Sequence, residues 1–117
     1  AIDARMTEVY FGRYELIDGR MQLVGDEVVS DPAVLVDARG KLAGRVTCVG
    51  TGFETYGEIL SGLADELAVS QVRFPAAEDM LPLARTAWLA GEAVPVEQAT
   101  PVYLRDKVTW KKLPGRE

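Results

Sequence analysis

Few residues in this chain carry side chains that could do chemistry, and their spacing narrows what that chemistry would be. There is one cysteine, Cys48, and no histidine. The lack of imidazole removes the commonest general base and the commonest metal ligand together. A zinc or iron site would have to be built from carboxylates and one thiol, and no spacing here speaks for that. Cys48 lies in Arg45-Val46-Thr47-Cys48-Val49-Gly50, a compact β-branched run with the look of a buried strand, where an inert thiol is expected. No Ser-His or Cys-His pair can be written, so no catalytic residue is predicted. Gly50-Thr51-Gly52 closes the run. Ligands in open α/β sheets collect at the carboxyl ends of strands, which makes Gly50 and Gly52 weak cofactor-binding candidates. A tight strand-to-helix connection explains the same two glycines.

The net charge is −5, unfavourable for a domain that grips phosphates by itself. The charge is uneven. Residues 105 to 117 hold five basic side chains against two acidic ones, a local +3 that leaves −8 for residues 1 to 104. This stretch reads as a solvated tail, with RNA contact as the competing reading. Tyr103 and Trp110 in the tail are amphipathic residues of the kind enriched in interfaces. With Arg105, Lys111 and Lys112 they are candidates for contact with a partner, against the alternative that they fold back on their own sheet. Tyr10, Phe11 and Tyr14 read as sheet packing, since Arg13 alone interleaves them with positive charge and a base-stacking platform needs more.

The elements that would position these residues follow from pattern. Glu8 to Glu15 is rich in aromatic and β-branched residues, Leu16-Ile17 lead into Asp18-Gly19, a strong hairpin dipeptide, and Arg20 to about Val29 forms the return strand. Ile2 to Arg5 is a short third strand. Asp31 as N-cap, Pro32 in the first turn and Gly40 at the end predict a helix over Pro32 to Arg39. A strand follows over Arg45 to Val49. Thr55 and Glu58 have capping-box spacing, and Ile59, Leu60, Leu63, Ala64 and Leu67 predict a second helix, weakened by Gly57 and Gly62. Val69 to Phe74 is expected as a strand. Met80, Leu83, Ala84, Ala87 and Trp88 predict a third helix ending at Gly91, in which Pro82 lies in the first turn if Glu78 or Asp79 is the N-cap and kinks the helix otherwise. An extended tail runs beyond Pro95.

At 117 residues the chain fits one α/β domain spanning residues 1 to 117, and no stretch has the apolar length of a membrane span. A single cysteine gives no internal disulfide, and a cytoplasmic location is the simplest expectation. The opening Ala1-Ile2-Asp3-Ala4-Arg5 reads like the inside of a fold, so sequence upstream is expected. The order β-β-β-α-β-α-β-α argues for one mixed sheet flanked by helices. By analogy this is the order of the ribonuclease H-like unit of actin-like proteins.

Four segments carry a resemblance over nearly the whole chain: Asp3 to Tyr10, Val49 to Gly52, Pro75 to Ala84, and Glu97 to Arg105 running into Trp110-Lys111-Lys112-Leu113-Pro114-Gly115. In that order they resemble the C-terminal half of the TsaB (YeaZ) family of tRNA threonylcarbamoyladenosine biosynthesis proteins. The resemblance implies an actin-like ATPase-superfamily lobe whose N-terminal counterpart precedes Ala1. It also implies a non-catalytic partner subunit that works with a TsaD-like paralogue and a TsaE-like ATPase and meets tRNA only through that complex. The full-length protein is expected to homodimerise and this piece to be monomeric. No cofactor is expected. The old family label "glycoprotease" points instead to an enzyme lobe or a vestigial ATPase, and the missing histidine speaks against it. Nucleotide-binding relatives in that superfamily open this hairpin with an aspartate and a glycine-containing turn that faces phosphate. The resemblance thus makes Asp3 a weak cofactor-binding candidate, but Thr7 stands where many family members carry glycine, which favours a structural turn.

Overall fold

A computed structural model describes residues 1–105, so Trp110, Lys111 and Lys112 lie outside the described residues. Among the described residues, seven strands and four α-helices run in the order β1 (Ile2–Arg5), β2 (Glu8–Phe11), β3 (Tyr14–Ile17), β4 (Arg20–Leu23), β5 (Val28–Ser30), α1 (Pro32–Arg39), β6 (Leu42–Cys48), α2 (Gly52–Thr55), α3 (Gly57–Leu60), β7 (Ala64–Val69) and α4 (Leu81–Leu89). Short 3-10 turns at Ser61–Leu63, Ala77–Met80 and Val96–Gln98 complete the list.

The long hairpin forms as its turn dipeptide dictates. Asp18 and Gly19 take φ of 51° and 76°, the left-handed pair that a two-residue turn between twisted strands requires. Each arm is interrupted once. Gly12-Arg13 separates β2 from β3, and residues 24 to 27 separate β4 from β5, so the expected two arms become four strands. β3 pairs β4 from Tyr14↔Leu23 to Ile17↔Arg20, and β2 pairs β5 from Val9↔Ser30 to Phe11↔Val28. The return arm therefore carries two more residues than the outgoing arm across the break. β1 adds to β2 antiparallel, giving a three-stranded sheet ordered β1-β2-β5.

Helix α1 has the predicted bounds, with the Asp31 carboxylate accepting from the N–H groups of Ala33 (2.8 Å) and Val34 (3.3 Å). The second predicted helix is corrected. It starts earlier, at Gly52, breaks at Tyr56, and ends by Leu63, whereas Ala64 to Val69 pair in parallel with β6. Gly57 and Gly62 weaken a continuous helix, and pairing with β6 gives the backbone of 64 to 69 its partners. The strand expected over Val69 to Phe74 is accordingly absent, since β7 ends at Val69. The expected single mixed sheet is also corrected. Among the described residues there are three separate sheets: β1-β2-β5, β3-β4 and the parallel pair β6-β7. The first and third are joined where the Ala1 nitrogen donates to the Val49 carbonyl and the Gly52 N–H donates to the Ala1 carbonyl, both at 2.9 Å.

Val9, Leu35, Cys48, Phe53, Leu60 and Leu63 form the core, uniting β2, α1, β6, α2, α3 and the turn after α3. Val9 and Leu60 are fully buried, each contributing about 2 kcal/mol by area. Helix α4 forms as predicted, with Pro82 harmless in its first turn, yet none of its residues is buried. Trp88 and Leu89 are 70% and 71% exposed.

Candidate functional site

The β6 strand delivers Gly50-Thr51-Gly52 to the start of α2, beside the first residues of β1. Gly50 has φ of 101°, and a Cβ there would lie 2.1 Å from the Ala1 carbonyl oxygen. A Cβ on Gly52 would meet the Ala1 Cβ at 2.9 Å. Both glycines are thus spent on a close approach between two backbones, and the Gly52 N–H is already given to Ala1. Asp3 joins the same cluster. Its N–H donates to Thr51 Oγ1 (3.0 Å), and its carboxylate accepts from the Arg5 N–H (2.9 Å) and from the Thr55 hydroxyl (3.5 Å). The structure therefore brings Asp3, Gly50 and Gly52 together. The N–H groups of Gly50, Gly52 and Asp3 are each given to acceptors within the chain.

Cys48, two residues before Gly50, is 4% exposed. Burial raises its thiol pKa, and the nearby Ala1 amine opposes this only in part, so the reactive thiolate is disfavoured. Among the described residues no group of three or more Cys, Asp and Glu side chains could hold a metal ion.

Two features escaped sequence reasoning. The first is an open crevice of ≈ 850 Å³ between the antiparallel hairpin and the parallel pair, with Tyr10, Phe11, Tyr14, Val46, Leu67 and Phe74 among its walls. Its arginines are engaged: Arg39 lies 5.4 Å over the Phe11 ring and donates to the Asp26 carbonyl, and Arg73 lies 5.0 Å over Phe74 and pairs with Glu54. Local pattern cannot reveal such a crevice, because its walls come from segments far apart in sequence.

The second is the place of Arg105. Of the tail residues singled out by sequence, Tyr103 is 76% exposed, whereas Arg105 turns inward onto β1 and β2. Its guanidinium donates to the Ala4 carbonyl (3.0 Å), the Arg5 carbonyl (3.4 Å) and Glu8 Oε1 (3.0 Å). It also lies 5.8 Å from the Tyr10 ring centroid.

No protein-family model matches the chain. Over its whole length it is 42% identical to the tRNA threonylcarbamoyladenosine biosynthesis protein TsaB of Escherichia coli K12 and 35% identical to that of Haemophilus influenzae. The chain spans about half the length of these curated relatives, 51% of each. Two solved structures share 42% of its sequence. One is described as an uncharacterized protein with similarity to peptidase YEAZ from Pseudomonas aeruginosa, with a TM-score of 0.70 over 89% of this chain and 47% of that one. The other is YeaZ from Pseudomonas aeruginosa, with a TM-score of 0.67 over 88% and 47%.

Proposed function

We propose that this chain, which corresponds along its whole length to the C-terminal half of TsaB-type proteins, serves as the C-terminal lobe of a non-catalytic subunit in threonylcarbamoyl modification of tRNA. The observation that carries the reading is the match of the whole chain to TsaB of E. coli at 42% identity. The modified base is the adenosine beside the anticodon, and the subunit acts with a TsaD-like paralogue and a TsaE-like ATPase in the cytoplasm. The lobe is a ribonuclease H-like unit of the actin-like superfamily. Three antiparallel strands followed by a parallel pair with intervening helices support this. No helix among the described residues is long and apolar enough to cross a membrane.

The non-catalytic part of the reading is supported by chemistry. There is no imidazole to serve as base or ligand, the one thiol is buried with a raised pKa, and Gly50 and Gly52 are packed against Ala1. The peptidase wording attached to one structural neighbour favours a second reading, an enzyme lobe. Capture of a TsaD-type subunit by the full-length protein, and loss of tRNA modification when it is left out of a reconstituted reaction, are the expected results. No capture in a clean reconstitution would overturn the partner role. Calorimetric titration of the 117-residue chain with ATP and magnesium separates the second reading, since micromolar binding by this chain alone would favour a nucleotide-dependent enzyme.

A further inference from the structure

The turn between β1 and β2 is the most unusual piece of backbone among the described residues. Arg5, Met6 and Thr7 have φ of 62°, 54° and 58°, three successive non-glycine residues in the left-handed region, the last of them β-branched. Each such residue is strained by its Cβ, and the two-residue loop Met6-Thr7 lacks the Asn-Gly or Asp-Gly chemistry that lowers the cost. All three side chains are exposed, so apolar packing does not hold them.

Besides the Asp3 carboxylate, which accepts the Arg5 N–H, the turn is met by a side chain from about a hundred residues away. The Ala4 and Arg5 carbonyls, the Glu8 carboxylate and the Tyr10 ring converge on the Arg105 guanidinium, whose side chain is only 15% exposed. This set is two neutral acceptors, one anion and one π-face, with no donor among them. Such a set fits a planar cation with several N–H groups, and it would repel phosphate. In the C-terminal strap, residues 99 to 105, Val102 and Tyr103 are 83% and 76% exposed and Leu104 is half-buried. Among the described residues, Arg105 supplies the strap's polar contacts to the turn.

We propose that the β1–β2 turn forms a guanidinium-binding cradle, filled in this chain by Arg105, which couples the position of the C-terminal strap to the left-handed state of the turn. The carbonyls of Ala4 and Arg5 converge on one cation only while the turn keeps this shape. Occupancy stabilises the turn, and the turn creates the site. An arginine presented by another protein would compete for the same acceptors.

The test uses the 117-residue chain and hydrogen exchange of peptides covering residues 3 to 11. Arg105→Ala is expected to speed exchange there by about tenfold or more, because charge-assisted hydrogen bonds are lost. Exchange around α1 should stay unchanged, which shows that the fold persists. Methylguanidinium at low-millimolar concentration should restore protection, whereas methylammonium and potassium chloride at the same concentration should not. Arg105→Lys, which keeps the charge and loses the fork, should fall between wild type and Arg105→Ala. Unchanged exchange in Arg105→Ala would overturn the coupling. Faster exchange without rescue, or rescue by all three salts alike, would overturn the guanidinium site.

Discussion

Two hairpin turns in this chain have the same left-handed backbone and owe it to different causes. Asp18-Gly19, between β3 and β4, has φ of 51° and 76° in residues that accept those angles, and it projects into solvent. Met6-Thr7, between β1 and β2, has φ of 54° and 58° in residues that do not. It is clasped from one side by Arg105 and from the other by Asp3, whose carboxylate accepts the Arg5 N–H. The first geometry is written into a dipeptide. The second is imposed by contacts from elsewhere in the fold, which is the usual way for a strained backbone to persist.

Gly50 is the limiting case of that contrast and should give the largest effect. Its φ of 101° excludes ordinary side chains, and the atom a Cβ would strike is a backbone oxygen that cannot rotate away. No clasp could rescue this position. Gly50→Ala is expected to destabilise the chain by about 3 kcal/mol or more, measured as the shift in urea midpoint at constant slope. A cost under about 1 kcal/mol would mean that β1 and β6 can separate at Ala1 without consequence.

Exchanging the turn chemistry tests the contrast itself. Asp18→Met combined with Gly19→Thr puts the sequence of the first turn into the second, where no arginine waits. The hairpin should lose about 2–3 kcal/mol, seen as roughly 30- to 150-fold faster amide exchange in β3 and β4. Exchange in the core around Leu60 should barely change, because the hairpin has a ladder of its own.

The same division explains what could be read from the sequence. The Asp18-Gly19 turn, the caps of α1 at Asp31 and Gly40, and the span of α4 rest on neighbours in sequence, and each was legible. The boundary between α3 and β7 was not. Ala64 and Leu67 continue a helical spacing from Leu60, and only the backbone of β6 decides that they form a strand. The candidate cluster was half legible. Gly50 and Gly52 stood out as glycines, but the reason for them, the carbonyl of Ala1, lies about fifty residues earlier. Arg105 was visible as a charged tail residue, and its inward turn depends on acceptors 97 to 101 positions away.

Thr7→Gly should have a smaller effect of opposite sign. Relief of a left-handed β-branched residue is worth roughly 1–2 kcal/mol, and the added freedom of the unfolded chain returns about 0.5–1 of that. The net gain is about 0.5–1 kcal/mol, a rise in Tm of about 4 °C. The gain should be greater in an Arg105→Ala background, where the turn has lost its clasp. Equal gains in both backgrounds would show that Thr7 and Arg105 act independently.

The smallest effect concerns the base of the second hairpin, which has a pin of its own. The Tyr14 hydroxyl donates to Glu27, and burial, this hydrogen bond and the Glu27 charge together push the phenol up from 10.0 to about 12. Because the folded state holds this proton more tightly than the unfolded state, Tyr14 favours folding fully below pH 10, and that contribution is lost as pH rises from 10 towards 12. Tyr14 is 45% exposed, so solvent screening keeps the effect local. The Tyr14 phenolate absorbance should titrate with a midpoint of about 12, and Glu27→Gln should bring that midpoint down towards 10. Amide exchange in β3 and β4, corrected for intrinsic pH dependence, should accelerate over the same interval while the Met6-Thr7 turn stays protected. Its clasp is made by Arg105 and Asp3, whose described contacts to the turn involve neither Tyr14 nor Glu27. If both turns loosened together on that titration, the two hairpins would share one support, and the distinction between a locally written turn and an externally held one would fail.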